Sequence, residues 1–169
     1  MDVKQRFYEA RAKKAVEALK KNGFEAYYAP TAQDAVEKVL EIVSEKATVG
    51  FGGSVTTRQL NLPQIMKEQG HEVFDHYVGS PEERALTRKK QLTCDVFIAS
   101  SNALTLDGKL VNIDGTGNRV AAMIFGPGHV VLVVGANKIT DTLQQALDRA
   151  KYIASPMNTI RLDCSTPCK

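Results

Sequence analysis

Residues 47–57, ATVGFGGSVTT, decide the fold. Ala47 to Phe51 is a short apolar run suited to a strand buried on both faces. Gly52-Gly53 then turns the chain sharply, and Ser54, Thr56 and Thr57 bring the hydroxyls that open a helix. A strand that runs through a tight turn into a helix is the first half of a parallel crossover, so the flanking sequence should show the same alternation.

Upstream, Phe7, Tyr8, Ala12, Ala15, Val16 and Leu19 recur at helical spacing and predict an amphipathic helix ending at Asn22-Gly23, where glycine takes the left-handed cap. Phe24 to Tyr28 reads as a short strand. Thr31 caps a second helix whose buried stripe is Ala35, Val36, Val39, Leu40 and Val43. Downstream, helical material from about Thr56 to Gln69 breaks near Pro63, and His71 to Asp75 reads as another strand. Ser80-Pro81-Glu82-Glu83 is a well-formed helix start, with a serine cap, a first-turn proline and a glutamate that reaches back to the cap amide.

Asp95 to Ala99 and Val130 to Gly135 are branched-rich interior strands, expected side by side or nearly so. Between them, Ala103–Leu106 and Lys109–Ile113 flank Asp107-Gly108 as a hairpin. The last helix, Asp141 to Ala154, closes before Pro156. The expectation is a three-layer α/β/α fold: a mainly parallel, Rossmann-like sheet with a hairpin insertion, in one domain spanning 1–169 with a tail at 161–169.

At 169 residues and 43% hydrophobic content the chain can bury a core of ordinary domain size. The formal charge of +3 comes from 22 basic and 19 acidic residues interleaved along the chain, which argues against a nucleic-acid footprint. No stretch has the length of a membrane span, and the charged N-terminal segment lacks the apolar core of a signal peptide. Cys94, Cys164 and Cys168 do not make a secreted disulfide framework, so a cytoplasmic location is expected. The same three thiols are one short of an all-cysteine iron–sulfur cluster, and His71, His76 and His129 have no metal-ligand or triad spacing. No metal site and no catalytic residue is assigned.

In sheets of this kind ligands settle outside the carboxyl ends of the strands, which directs attention to the loops after Phe51, Ala99 and Gly135. The first carries Gly52, Gly53, Ser54, Thr56 and Thr57, either an anion cradle of exposed amides or a strand-to-helix turn with hydroxyl caps. It is not a P-loop, having no Gly-Lys-Ser/Thr ending, and Val55 stands where a dinucleotide fingerprint needs its third glycine. The second loop holds Asn102, Thr105, Asp107, Asp114, Gly115, Thr116, Gly117, Asn118 and Arg119. Arg119 falls in the first turn of a short helix, where a cation needs a carboxylate or a bound anion beside it; Asp114 or Asp107 is the structural partner. The third loop offers Asn137 and Lys138, the lysine either pairing with a substrate carboxylate or standing solvated before the last helix.

Taken together, GGSVTT at 52–57, SNALTLDG at 101–108, NIDGTGNRVA at 112–121 and GANKI at 135–139 resemble, in order and spacing, the LUD-domain proteins associated with lactate utilisation, the LutC or YkgG type. The resemblance runs over essentially the whole chain. It implies the fold shared with sugar-phosphate isomerases and CoA transferases, the NagB/RpiA/CoA-transferase-like fold. It also implies a subunit of a system that oxidises L-lactate to pyruvate, with iron–sulfur clusters in partner subunits and no cofactor in this chain. Thr166-Pro167-Cys168 resembles a segment that leads, in many relatives, into a longer cysteine-bearing tail. The resemblance transfers no catalytic residue, so the three loops are expected to bind a small anionic metabolite. Catalysis by the chain itself and homo-oligomer formation stay open. The alternative is a free-standing enzyme or binder for a sugar phosphate, a CoA ester or another small anion.

Overall fold

The computed structural model describes residues 2–166, so Cys168 lies outside the described residues. Helix α1 (Val3–Lys21) opens on a capping box between Asp2 and Gln5 and ends at Asn22-Gly23, with Gly23 at φ +86°. Helix α2 (Ala32–Ile42) opens on Thr31, boxed by Asp34. Strand β1 (Val49–Phe51) passes through the glycine turn into α3 (Val55–Gln59) and α4 (Leu62–Glu68). The break between these helices comes at Asn61, left-handed at φ 54°, and Pro63 sits in the first turn of α4, where its missing N–H costs nothing.

Strand β2 (Val73–Asp75) precedes α5 (Pro81–Lys90), which has the expected Ser80–Glu83 capping box. Then come β3 (Val96–Ala99), the hairpin strands β4 (Ala103–Thr105) and β5 (Leu110–Val111), α6 (Asn118–Ile124) and β6 (His129–Leu132). A 3-10 turn at Ala136–Lys138 leads to β7 (Ile139–Thr140) and α7 (Leu143–Arg149). A π-helical turn, Ala150–Ala154, runs on into α8 (Ser155–Arg161).

These elements form two compact units. The sheet unit comprises Ala29–Ser100 and Asp114–Val133. Its four strands are all parallel in the order β2-β1-β3-β6, with Val49 opposite both Val73 and Val96, and Val96 opposite His129. The period of two along each strand sorts the core into two layers. Val49, Phe51, Val96, Ile98 and Val131 pack with Val36, Val39 and Val43 of α2 and with Leu62 and Met66 of α4. On the other face Phe97 and Ala99 pack with Ala122 of α6 and with Cys94, and Phe74, Val130 and Leu132 join them. Helices therefore cover both faces, the three-layer α/β/α arrangement that the alternation of strands and helices implied. The expected β3–β6 neighbours are paired directly.

The hairpin unit takes the described residues of Met1–Tyr28, Ser101–Ile113 and Val134–Lys169. Leu104 pairs with Leu110 across the antiparallel hairpin and with Ile139 of β7 in parallel, giving a three-stranded sheet. Ala103 and Val111 pack with Ala146 and Ala150 beneath it. Helix α1 is tied to this sheet by Arg11, which pairs with Asp141 at 2.6 Å and donates to the Ile139 carbonyl, and by Asn22, which donates to the Asp107 carbonyl.

The structure departs from the sequence reading at three places. Phe24–Tyr28 is not a strand: Phe24 and Tyr27 are about half exposed, only Ala26 is buried, and no strand pairs with the segment among the described residues. The last helix does not close before Pro156. Its π turn, in which the Ser155 N–H reaches the Ala150 carbonyl, widens the backbone enough for the proline ring to enter the next helix. Strand β7, two residues long, carried no readable pattern.

Gly126, which joins α6 to β6, has φ +131°, and a Cβ there would stand 2.3 Å from the Leu92 carbonyl oxygen. Gly126→Ala is expected to lower the unfolding free energy by about 3 kcal/mol, the upper end for strained backbone, read as a reduced midpoint in urea.

Candidate functional site

The carboxyl edge of the four-stranded sheet is where chain and chemistry converge. Gly52 N–H donates to the Ile98 carbonyl at 2.9 Å, so pairing continues one residue past β1. A Cβ on Gly52 would lie 2.9 Å from the Ala99 Cβ and 3.3 Å from the Arg119 Cγ, which makes glycine a packing requirement there. Ser54 Oγ accepts from Thr57 N at 3.2 Å, and Thr57 Oγ1 donates to the Ser54 carbonyl at 3.1 Å. Both side chains are buried and serve the α3 cap; Thr56 is half-buried and Gly53 likewise.

Within the same unit Arg119 reaches the glycine loop from α6. It is 8% exposed, pairs through Nη2 with Asp114 Oδ1 at 2.6 Å, and donates through Nη1 to the Ser100 carbonyl at 2.8 Å. Asp114 Oδ2 accepts from Val120 N, in the first turn of α6. The negative partner demanded by a cation at a helix start is thus Asp114, and the pair fixes the entry to α6. Gly115, Thr116 and Gly117 form the exposed turn between the two partners, and Asn118 is half-buried at its end.

The remaining expected residues belong to the hairpin unit. Asn102 Oδ1 accepts from Ile113 N, and Asn102 N donates to Asn112 Oδ1, so the amide closes the base of the hairpin. Thr105 is fully buried; its hydroxyl donates to Asp107 and accepts from Lys109 N. Asp107 also pairs with Lys109, and these two bonds, Lys109 first, hold its carboxyl below the usual aspartate range. Asn137 and Lys138 lie in the 3-10 turn, Asn137 exposed and Lys138 half-buried. The structure therefore brings the 52–57 and 114–119 segments together, and assigns Asn102, Thr105, Asp107, Asn137 and Lys138 to the other unit.

A constellation that the sequence reading passed over sits after β2. Gln91, at the C-terminal end of α5, is 1% exposed and donates both amide hydrogens, to the Phe51 carbonyl at 2.8 Å and the Phe74 carbonyl at 2.9 Å. His76 Nδ1 lies 3.2 Å from Gln91 Oε1 and 3.0 Å from Gln91 Nε2. With the amide hydrogens already committed, Oε1 is the atom that pairs with the ring, as acceptor of an Nδ1–H. His76 is buried and stacked on Tyr77, with ring centroids 5.0 Å apart. Tyr77 in turn lies under the Arg58 guanidinium at 4.3 Å and against Gly53, whose Cβ would meet the Tyr77 hydroxyl at 2.7 Å. Arg58 is neutralised by Asp75, at 2.6 Å.

Arg88 is different. It forms no ion pair or hydrogen bond among the described residues, and its Nε is buried without a partner. Burial, and after it the charge of Arg88, lowers the His76 pKa from 6.5, so the imidazole is neutral near pH 7 with its lone pair on Nε2. Two signals pointed here. Asp75-His76-Tyr77 follows a strand at the ligand-facing edge, and Arg88 and Gln91 are three apart on a helix, hence on one face.

Cys94 is a buried thiol, its pKa raised by desolvation. Among the described residues no group of three or more His, Cys, Asp or Glu could hold a metal ion, and no helix is long and apolar enough to cross a membrane.

Compared with known families, residues 12–169 match the model described as the LUD domain. Neither a curated protein nor a solved structure matches the chain.

Two measurements check this geometry. Arg119→Ala strands the Asp114 carboxylate and is expected to cost about 3–5 kcal/mol in denaturant unfolding, with Asp114→Ala alike and the double variant losing much less than the sum. His76 has a lower pKa folded than unfolded, so it leaves stability intact above pH 6.5 and removes it as pH falls from 6.5 toward the folded value. Unfolding curves at pH 7.5 and below 6 should therefore diverge less for His76→Gln than for the parent.

Proposed function

The chain belongs to the LUD-domain family, and on that premise we propose that it is a LutC-like subunit of an iron–sulfur-dependent system that oxidises L-lactate, binding a small anionic metabolite at the carboxyl edge of its sheet unit. The match over 12–169 is the observation that carries this reading, since it takes in every segment on which the likeness to lactate-utilisation proteins rests. The redox centres are assigned to partner subunits, because three cysteines fall one short of an all-cysteine cluster. A cytoplasmic location is part of the same proposal.

The sheet edge supports the anion in a particular way. Arg119, Ser54 and Thr57 are occupied by structural bonds, so they build the wall of the site rather than grip the ligand. Arg88 of α5, whose Nε is buried without a hydrogen-bond partner, is one positive charge of the sheet unit that could meet an anion.

The test has a biochemical and a genetic arm. A ligand present at one hundred times its Kd adds about 2.7 kcal/mol of stability, which a thermal-shift measurement on the full chain resolves easily. L-lactate or pyruvate is expected to raise the Tm, and deletion of the gene is expected to abolish growth on L-lactate. A response confined to sugar phosphates or CoA esters, with normal growth of the deletion strain, removes the lactate reading in favour of a free-standing enzyme or binder for those metabolites.

A further inference from the structure

One groove lies wholly within the hairpin unit, bordered by α7, by the π turn that continues it and by the 137–141 segment that carries β7. Its volume is about 470 Å³, within the range that takes a small molecule. Gln145, Asp148 and Arg149 enter it from α7, where spacings of three and four residues set them on one face of the helix. Ile139, Tyr152 and Ile153 supply its apolar surface, and Tyr152 and Ile153 are half exposed or more.

Two cations and two carboxylates line the groove, and only half of that charge is spent inside it. Arg11 pairs with Asp141 at 2.6 Å and donates to the Ile139 carbonyl. Asp148 and Arg149 are adjacent in sequence, so they do not turn toward each other, and neither forms an ion pair among the described residues. Asp148 accepts from Gln144 through Oδ1 at 2.9 Å, which leaves Oδ2 open. Arg149 donates through Nη1 to the Asn102 carbonyl, while its Nε and Nη2 make no bond with the described residues and are not sealed from solvent. Burial pulls the Arg149 pKa below the usual guanidinium value, as for a cation short of counter-charge. Gln145 spends its Oε1 on the Asp141 and Thr142 amides and keeps its Nε2 hydrogens unspent.

A simple anion in this groove meets Arg149 but also the Asp148 carboxylate, and a simple cation meets the reverse. A dipolar ion answers both. We propose that the groove binds a free α-amino acid with an apolar side chain, its carboxylate on Arg149, its ammonium on Asp148 and its side chain against Ile139, Tyr152 and Ile153. Gln145 Nε2 adds an amide donor for the carboxylate. Selectivity follows from the pairing, because a ligand that lacks either charge leaves one protein charge unanswered or repelled. The site makes and breaks no bond, and it goes beyond the reading of the sheet edge, since none of its residues belongs to the sheet unit.

Titration of the full chain followed by nuclear magnetic resonance tests it with three probes. They are L-leucine, 4-methylpentanoate, which lacks only the ammonium, and 3-methylbutylamine, which lacks only the carboxylate. L-Leucine is expected to shift the amide signals of Ile139 and of residues 145–153. It is expected to bind about tenfold more tightly than either analogue, each of which forfeits one charge-assisted hydrogen bond. Asp148→Asn retains an oxygen for Gln144 and is expected to bring L-leucine down to the affinity of 4-methylpentanoate, without weakening that acid. Arg149→Gln is expected to abolish binding of L-leucine, with its urea midpoint measured alongside because the Asn102 contact is lost as well.

No binding of L-leucine, equal affinity for L-leucine and 4-methylpentanoate, L-leucine affinity unchanged in Asp148→Asn, or shifts confined to residues outside 137–153 would each overturn the assignment. The proposal of a lactate-oxidation subunit is read from L-lactate binding and growth on L-lactate, so either proposal can fail while the other stands.

Discussion

Parallel strands that diverge at their carboxyl ends leave carbonyl groups with no strand to answer them, and in this sheet Gln91 answers two. Its amide spans from Phe51 on β1 to Phe74 on β2, nearly sealed from solvent. A buried carbonyl without a partner costs about 1–3 kcal/mol, so this single side chain sets where α5 ends and how far apart the two strand ends stand. It also determines which nitrogen of His76 carries the proton. The site chemistry is therefore inherited from a structural obligation of the sheet, and a change that frees Gln91 disturbs both at once.

Much of the scaffold was legible because local chemistry and tertiary packing agree. Thr31 and Ser80 cap the helices they were expected to cap, and Gly23 ends α1 in the left-handed region. The runs around Val96 and Val130 are paired strands. The illegible parts are those in which a distant partner decides. Phe24–Tyr28 has strand-forming residues but no strand beside it, and β7 is a strand only because β4 supplies the other half of its ladder. Pro156 reads as a stop unless the preceding turn can widen, and a π turn leaves no pattern in composition.

The site was legible to the same extent. Asp114 was one of two partners foreseen for Arg119, and the ion pair confirms the need for a carboxylate at that helix start. His76 has no metal-ligand or triad spacing in the sequence, because its partner is fifteen residues away on another element. The loop after β2 shares the carboxyl edge with the loops after Phe51 and Ala99, but it has none of their glycine and hydroxyl density. The residues were visible, but their relation depended on a glutamine whose burial no periodicity announces.

Three arginines of the sheet unit show how the same side chain takes different work from its surroundings. Arg119 and Arg58 each meet a carboxylate, and each lies against a glycine-loop feature: Arg119 over Gly52, and Arg58 over the Tyr77 ring that rests on Gly53. The two glycines that look like a ligand cradle are thereby explained by the side chains packed on them. Since backbone amides bind any anion alike, while a fixed imidazole lone pair distinguishes donor from acceptor, selectivity in this edge has to come from side chains. Arg88 meets no carboxylate: its Nε is buried without a partner, and its charge adds to burial in lowering the His76 pKa.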